Sequence, residues 1–380
     1  MNIAIDARVL WAGFRGGILV YTERLIEQLA QIDHDNRYQL LFTSLRSRVR
    51  DSSASAYAQF EKIVLPFPDR EFWGKDFIWS ELALPAFFLA KGTNVYHAPA
   101  SALLPRSRRI KKIITIHDLR GVHLNDALPQ DFKAIRRSAQ LADLIISVSE
   151  FTRQDIINYC GVPESKVKTI MLGVDEAFKP LPGEEKIAKF KEKFGLNKPF
   201  FFSLGIVPRK NTERLLKAFA NFRYRNDFQL VLAGYHGGQG IPSADSWFEK
   251  YVSIIKEKKL EDQVKFVGSL GEDELVLFYN TAYAFVFPSL CEGFGIPVLE
   301  AMACGLPVIT SNISALPEVA GDAAILIDPY QEGAIRLAME DLVDNEQLRR
   351  DLVQKGFENA KRFSWRKMAE EIRQEYNSLV

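Results

Sequence analysis

Two carboxylates, Glu292 and Glu300, flank a short loop in which seven residues separate them. The loop contains Gly293 and Gly295, and glycine in a turn lets the backbone approach a ligand closely. Pro297 fits the start of a helix, whose exposed amide groups favour an anion such as a phosphate. The pattern therefore predicts a ligand site with two acidic groups, although a lone glutamate pair at this spacing also occurs in ordinary solvated turns.

A second candidate is the adjacent pair Arg209 and Lys210. The pair follows a predicted strand over 199–204 and precedes a helix that we expect to begin near Thr212. Two cations at the carboxyl end of a strand, just before a helix start, suit a diphosphate. The alternative is a solvated basic loop, which is the usual environment of neighbouring charges.

The elements that must position these groups alternate between strands and helices. The run over 283–287 is aromatic and β-branched, which predicts a buried strand, and the run over 306–310 predicts the next one. The Glu292 loop therefore lies at the carboxyl end of a strand, where open α/β sheets bind ligands. The same alternation in both halves of the chain predicts an α/β protein with two doubly wound domains.

The first half of the chain contains weaker indications of a functional site. Gly16 and Gly17 form a turn into a predicted helix, and a glycine pair there is equally compatible with a simple turn. Two further predicted strands end at or near His97 and His117, where a histidine is often a hydrogen-bonded structural residue. Asp118 follows His117 and is expected to orient its ring.

Composition excludes several classes of protein. The 380 residues suggest two domains, and a net charge of +1 argues against a nucleic-acid partner. Three scattered cysteines are too few for a disulfide framework or a zinc site, so a reducing cytoplasm is the expected compartment. The first residues have no signal-peptide pattern, and no apolar run is long enough to span a bilayer.

Two segments of the first half have an unusual composition. The segment 67–88 is rich in Phe and Trp and predicts a core helix packed on the sheet, with an acceptor-binding or membrane-surface element as the alternative. The basic run 106–112 predicts a solvated loop before a strand, and it would also suit anionic lipid head groups. Together they suggest peripheral contact with a membrane.

Three stretches resemble one family. The segments 292–300, 301–312 and 316–324 are similar to the signature regions of the retaining glycosyltransferases of family 4, including those that build bacterial surface polysaccharide. The resemblance implies the GT-B fold, with two doubly wound Rossmann-like domains facing across a cleft. It places an acceptor-side domain at 1–178, a nucleotide-sugar-binding domain at 196–362, and a terminal helix at 363–380 that crosses back to the first domain. The segment 178–197 is rich in Lys, Glu, Pro and Gly, and this composition predicts a linker between the two domains.

The resemblance also assigns roles. Arg209 and Lys210 would stabilise the departing diphosphate, Glu292 would hold sugar hydroxyls, and His117 would contact the donor sugar. Ile206 stands where many members have an arginine, which puts one phosphate contact in doubt. The remaining implied residues are Glu300, Gly293, Phe294, Gly295, Ile296, Gly205 and Gly268 for donor binding, and Gly16 and Gly17 on the acceptor side.

No metal or other cofactor is expected, because the resembled class works without one and a nucleotide sugar is its co-substrate. The spacing Asp33-His-Asp35 is interpreted as a solvated turn. The first expected donor is GDP-mannose and the second is UDP-glucose, with a glycan or lipid-linked glycan as acceptor. A sucrose- or trehalose-type synthase and an inactive nucleotide-sugar-binding protein remain as alternatives. Gly-x-Gly-x-x-Gly is absent after the first strand, which disfavours an NAD-dependent dehydrogenase.

Overall fold

A computed structural model describes residues 1–11, 16–43, 59–67, 75–100, 103–124, 129–234 and 242–380. The chain divides into two units, one formed by Met1–Gly173 with Ser364–Val380 and the other by Val174–Phe363. The segment 178–197, expected to be a linker, belongs to the second unit and contains a helix over Glu184–Phe194. Phe190 and Phe194 anchor that helix on Phe278, so its many Lys and Glu residues are those of an exposed helix face.

The first unit is built on a parallel sheet. Its described strands pair in the order β3-β2-β1-β4-β5-β6-β7. They are β1 Asn2–Asp6, β2 Arg37–Thr43, β3 Phe60–Leu65, β4 Val95–Ala98, β5 Lys111–Ile116, β6 Leu144–Ser147 and β7 Val167–Thr169. The helices are α1 Gly17–Ile32, α2 Lys75–Ile78, α3 Leu84–Lys91, α4 Arg120–Leu124, α5 Pro129–Leu141 and α6 Glu150–Cys160, with a π turn at Trp79–Ala83 between α2 and α3. Ser149 caps α6, because its Oγ accepts from the Thr152 amide at 3.1 Å.

The second unit repeats this design. Its described strands are parallel and pair in the order β10-β9-β8-β11-β12-β13. They are β8 Phe200–Leu204, β9 Gln229–Ala233, β10 Val264–Gly268, β11 Ala284–Phe287, β12 Val308–Ser311 and β13 Ala324–Ile327. The helices are α7 Glu184–Phe194, α8 Thr212–Ala220, α9 Pro242–Glu257, α10 Glu272–Thr281, α11 Ile296–Ala303, α12 Leu316–Ala320, α13 Glu332–Asp344 and α14 Glu346–Ala360. The continuous apolar runs of β8 and β11 are buried on both faces, as parallel strands covered by helices require.

The last helix, α15 (Trp365–Leu379), packs in the first unit. Ser364 caps it by accepting from the Lys367 amide. Glu375 pairs with Lys168, and Arg373 Nη1 donates to the carbonyl of Ile32 at 3.2 Å. Where the chain leaves the first unit, Gly173 lies so close to the returning chain that a Cβ there would stand 2.1 Å from the Trp365 nitrogen.

The aromatic segment is partly buried and partly exposed. Trp79, Phe87 and Phe88 are buried in the core of the first unit. Other apolar side chains of the same helical stretch face solvent, with exposed fractions of 59% at Phe77, 59% at Leu82 and 71% at Leu89. Phe72 and Trp73, which belong to the predicted segment 67–88, lie outside the described residues. In the described part of the chain, no helix is both long and apolar enough to cross a bilayer.

Candidate active site

The site lies at the carboxyl ends of β8 and β11. These two strands are neighbours in the second sheet although β9 and β10 lie between them in sequence. The strand order therefore reverses at this point, which is the topological switch point where open α/β sheets bind ligands. The loop after β8 contributes Arg209 and Lys210, and the loop after β11 contributes Glu292.

The loop after β8 is shaped around Lys210. Gly205 adopts φ 86°, and a Cβ at this position would stand 3.0 Å from Lys210 Cγ. Asn211 adopts φ 64° and donates from Nδ2 to the carbonyl of Pro329 at 2.7 Å, which fixes the residue next to the lysine. Ile206 is buried in the core and supplies no charge. The expectation that one phosphate contact is missing at this position stays a prediction.

Three donors converge on one oxygen of Glu292. Arg209 Nη1 and Lys210 Nζ each lie 2.7 Å from Oε1, and Ser289 Oγ donates to the same atom at 2.5 Å. The group is well shielded, since the side chains of Lys210, Glu292 and Arg209 are 10%, 12% and 25% exposed. Burial alone would raise the pKa of Glu292, but the charges of Lys210 and Arg209 and the hydrogen bonds to Lys210 and Ser289 outweigh it and lower that pKa. Glu292 is therefore a carboxylate at neutral pH.

The backbone of Glu292 is held by the segment between β12 and α12. Its amide donates to Ser314 Oγ at 3.2 Å, and its carbonyl accepts from the Ala315 amide at 3.3 Å. Ser314 adopts φ 57°, a left-handed conformation that costs energy for a residue other than glycine. Sequence reasoning missed both Ser289 and Ser314. Nothing in the sequence distinguishes these two hydroxyl groups from the chain's other serines.

At the start of α11, backbone groups and not side chains are what a ligand could contact. Gly295 adopts φ 116°, and a Cβ there would meet Leu316 Cδ2 at 2.8 Å. Gly293 is buried, and Ile296 opens the helix half-buried. Phe294, a predicted donor-binding residue, is buried edge-on against Phe363 with ring centroids 5.8 Å apart. Its side chain is therefore part of the core, and its backbone is what remains for a ligand.

Glu300 lies one turn further along α11 and is half-buried. Its Oε2 accepts from the hydroxyl of Tyr279, a buried residue of α10, at 3.1 Å. Tyr279 was not predicted as a site residue. The bond fixes one carboxylate oxygen of Glu300 in place.

Three glycines end neighbouring strands beside the ion cluster. Gly205, Gly234 and Gly268 follow or close β8, β9 and β10, with φ of 86°, 137° and 73°. The Gly234 amide donates to the Gly268 carbonyl at 2.8 Å, and a Cβ on Gly234 would lie 3.1 Å from Gly205 Cα. A side chain at Gly205 or Gly234 would therefore crowd the neighbouring loop. His236, which follows Gly234 by two positions, lies outside the described residues.

The remaining predicted residues belong to the first unit. His117 follows β5, is half-buried, and its Nε2 lies 2.8 Å from the carbonyl of Pro99. A carbonyl only accepts, so Nε2 carries the proton and Nδ1 keeps its lone pair. Burial lowers the pKa of His117 more than Pro99 and Asp118 raise it. The ring is thus neutral, and it is Pro99 that orients it, whereas Asp118 Oδ1 accepts from the Arg120 amide.

Gly16 and Gly17 open α1, with Gly16 as an extended N-cap residue and both glycines exposed.

The interpretation of Asp33 and Asp35 as a solvated turn was wrong for Asp33. That side chain is buried and accepts from Tyr38 Oη at 2.6 Å and Asn36 Nδ2 at 2.7 Å, so it closes the end of α1. Among the described residues, no group of three or more His, Cys, Asp or Glu side chains is placed to hold a metal ion.

Comparisons with known proteins agree with this architecture. The model of the glycosyl transferases group 1 matches residues 184–359, and that of Glycosyltransferase Family 4 matches residues 15–178. The O-antigen chain mannosyltransferase B of Escherichia coli is 30% identical over 280 residues, which are 71% of this chain and 71% of that protein. The serotype-specific mannosyltransferase WbdA of Escherichia coli is 33% identical over 229 residues, which are 59% of this chain and 27% of that protein.

Solved structures share the fold. The sucrose-phosphate synthase of Thermosynechococcus elongatus superposes with a TM-score of 0.79 at 21% identity, covering 100% of this chain and 99% of that one. Anabaena HepE in complex with UDP and glucose gives a TM-score of 0.76 at 16% identity, covering 100% of both chains. The chain belongs to the family 4 glycosyltransferases and has their GT-B fold of two Rossmann-like domains.

Proposed function

We propose that this glycosyltransferase moves a hexose, with retention of anomeric configuration, from a nucleotide diphosphate sugar to a glycan or lipid-linked glycan in surface polysaccharide synthesis. GDP-mannose is the first donor candidate, since the O-antigen chain mannosyltransferase B of Escherichia coli is similar over most of its length. UDP-glucose is the second, since the structurally similar HepE was solved with UDP-glucose.

The observation that carries the proposal is the pair of shielded cations at the switch point. During transfer, the bond between the anomeric carbon and the diphosphate oxygen breaks, and a new bond to an acceptor oxygen forms. The electron pair of the broken bond stays on the diphosphate, which also takes the proton of the acceptor hydroxyl. Arg209 and Lys210, with the amides at the start of α11, would stabilise that growing negative charge without a metal ion.

Glu292 would act by its charge and not as a nucleophile. Its Oε1 already accepts three hydrogen bonds, and its lowered pKa makes it a weak base. A fixed carboxylate beside the sugar would hold hydroxyl groups and favour positive charge at the anomeric carbon. We assign Glu300 to the ribose hydroxyls of the nucleotide and His117 to the donor sugar. Its Nδ1 lone pair makes His117 an acceptor for a sugar hydroxyl.

A thermal-shift panel with UDP, GDP, ADP, dTDP and their common sugars, with and without EDTA, tests the donor assignment. A ligand at about 100 times its dissociation constant adds roughly 2.7 kcal/mol of stability. We expect GDP and GDP-mannose to shift the transition most, equally with and without EDTA. If UDP and its sugars alone shift the transition, the donor is a UDP-sugar and not GDP-mannose. If EDTA abolishes the shift, binding requires a metal ion and metal independence is refuted.

Transfer is then measured by nucleoside diphosphate release with the preferred donor, with and without a lipid-linked glycan, and with fructose 6-phosphate or glucose 6-phosphate. Release that requires the lipid-linked glycan supports the proposal, and the anomeric configuration of the product decides retention. Release with a sugar phosphate would establish the synthase alternative. Binding without release under every condition would establish the inactive binding protein.

We also propose that the first unit contacts the inner face of the plasma membrane from the cytoplasm. Phe77, Leu82 and Leu89 expose apolar side chains along one helical stretch. The basic run lies next to it, because Glu81 pairs with Arg106 and accepts from its amide at 3.3 Å. Arg106, Arg108, Arg109 and Lys111 are exposed, whereas Lys112 is buried and donates to the Ser107 carbonyl, so it is excluded from this surface.

Co-sedimentation with vesicles tests this contact. We expect binding to vesicles with anionic phosphatidylglycerol and little binding to phosphatidylcholine alone. Leu82→Ser with Leu89→Ser should reduce binding, and a matched pair at exposed apolar positions of the second unit, Tyr330→Ser with Leu337→Ser, should not. Equal sedimentation of wild type and the Leu82/Leu89 variant would refute the membrane surface.

A further inference from the structure

A buried chain of hydrogen bonds joins the last helix to the neighbourhood of His117. Tyr376 Oη on α15 lies 2.6 Å from His97 Nδ1, and His97 Nε2 lies 2.9 Å from Thr115 Oγ1. Thr115 Oγ1 in turn lies 2.9 Å from Tyr21 Oη on α1. We call these four residues the Tyr376–Tyr21 chain. All four side chains are fully buried.

The Tyr376 hydroxyl has no partner other than His97 among the described residues, and burial raises its pKa well above the ordinary value, so it keeps its proton. We assign Tyr376 as the donor to His97 Nδ1, an arrangement that places the imidazole proton on Nε2 and makes Nε2 the donor to Thr115. Burial and the nearby His117 lower the pKa of His97 to about 3, so the ring stays neutral.

The far end of the Tyr376–Tyr21 chain meets His117. The Tyr21 ring packs edge-on against the His117 ring, with centroids 4.8 Å apart and an interplanar angle of 81°. His117 is thus held from two sides, by Tyr21 and by the carbonyl of Pro99. Tyr21 also lies on α1, one turn after Gly17, so the same chain fixes the start of that helix.

We propose that Tyr376 is a positioning residue for His117, acting through the Tyr376–Tyr21 chain. This inference rests on the proposed contact between His117 and the donor sugar. Hydrogen bonds between buried side chains reinforce one another in the low-dielectric interior, which makes a chain of this kind effective in fixing a ring. The last helix then contributes to the reaction through the position of His117.

Tyr376→Phe tests the proposal, because it removes the hydroxyl and retains the ring. We expect kcat to fall about tenfold, since misplacing a contact to the reacting sugar is costly, while the affinity for the nucleoside diphosphate stays unchanged. Tyr38→Phe is the matched control. Tyr38 is equally buried, packs near Tyr376, and donates its hydroxyl to Asp33, outside the Tyr376–Tyr21 chain. Tyr21→Phe should lower kcat as Tyr376→Phe does.

Nuclear magnetic resonance of the imidazole nitrogens gives a readout that does not require turnover. The chain has five histidines, so His117 and His97 can be assigned by substitution. In the wild type both rings should carry the proton on Nε2. Tyr376→Phe should change the His117 nitrogen signals, and Tyr38→Phe should leave them unchanged.

Unchanged His117 signals in Tyr376→Phe, or an equal loss of kcat in Tyr38→Phe, would overturn the positioning role. If the wild type transfers no hexose at all, the proposed function fails. The nitrogen signals still decide whether Tyr376 positions His117.

Discussion

Lys210 offers the sharpest test of the candidate site, because removing its charge should lower both the stability of the protein and its rate of transfer. The substitution Lys210→Met keeps an unbranched side chain of similar length against Gly205 and removes the charge. The ammonium group donates to Glu292 at 2.7 Å and lies 4.1 Å from the centre of the Phe287 ring. A hydrogen bond between charged groups contributes about 1.5–3 kcal/mol to stability, and a cation–π contact contributes about 0.5–1 kcal/mol. We therefore expect the free energy of unfolding to fall by about 2–4 kcal/mol.

The catalytic loss has a different origin. If Lys210 stabilises the departing diphosphate, removing it costs transition-state stabilisation of roughly 2–4 kcal/mol, the scale of one lost oxyanion contact. At 1.36 kcal/mol per tenfold, this is a fall in kcat/KM of roughly 30- to 900-fold.

Glu292→Gln leaves both cations without their counterion and should cost about 3–5 kcal/mol of stability. The double variant should lose less stability than the two single variants together, because the lost contact is shared.

Urea unfolding measures the stability terms, and nucleoside diphosphate release with saturating acceptor measures kcat/KM at a temperature where every variant is folded. Lys217→Met is the control, since that lysine lies in the same unit but pairs with Glu213 on the surface of α8. It should change neither quantity appreciably. A Lys210→Met enzyme with the wild-type kcat/KM would refute the role of Lys210, and strictly additive stability losses would refute the shared contact with Glu292.

Three further predictions follow from the same site. Glu300→Gln should weaken nucleotide binding, measured by calorimetry, while Tyr279→Phe should do so less because it removes only the bond that orients the carboxylate. Gly205→Ala should lower stability by about 1–3 kcal/mol in urea unfolding, because its φ of 86° and the contact with Lys210 at 3.0 Å both oppose a Cβ. The folded-state pKa of Glu292 is lowered, so its contribution to stability is complete above the unfolded-state pKa and is lost as pH falls through the folded-state pKa. The difference in unfolding free energy between wild type and Glu292→Gln should therefore shrink below about pH 4.3, and a constant difference would contradict the assignment.

The sequence predicts this site where chemistry and local spacing coincide. Arg209 and Lys210 are adjacent, follow a recognisable strand, and precede a helix, so their placement needs no long-range information. Ser314 could not be found in this way. It reaches the Glu292 amide across 22 positions, and its φ of 57° depends on a turn that its neighbours do not signal. Phe294 shows the converse, since its position is local but the direction of its side chain depends on packing against Phe363.

The fold was predictable to a similar extent. Buried parallel strands such as β8 and β11 stand out as apolar runs, whereas β3 does not, because this edge strand interleaves Glu61 and Lys62 with its apolar residues. Helix α7 was taken for a linker because its charged residues dominate its composition. The burial of Asp33 follows from three hydrogen bonds that Asn36 and Tyr38 donate after the end of α1, which composition alone does not indicate.

The return of α15 to the first unit has a consequence for biosynthesis. A ribosome completes residues 1–173 long before it makes Trp365–Leu379, and the whole second unit is synthesised in between. Until α15 arrives, the buried groups that it covers, including His97, have no Tyr376 to pair with. The second unit is continuous in sequence and can fold as it emerges, so the N-terminal unit is the last to finish. Premature termination near the C-terminus would therefore damage the part of the protein that was made first.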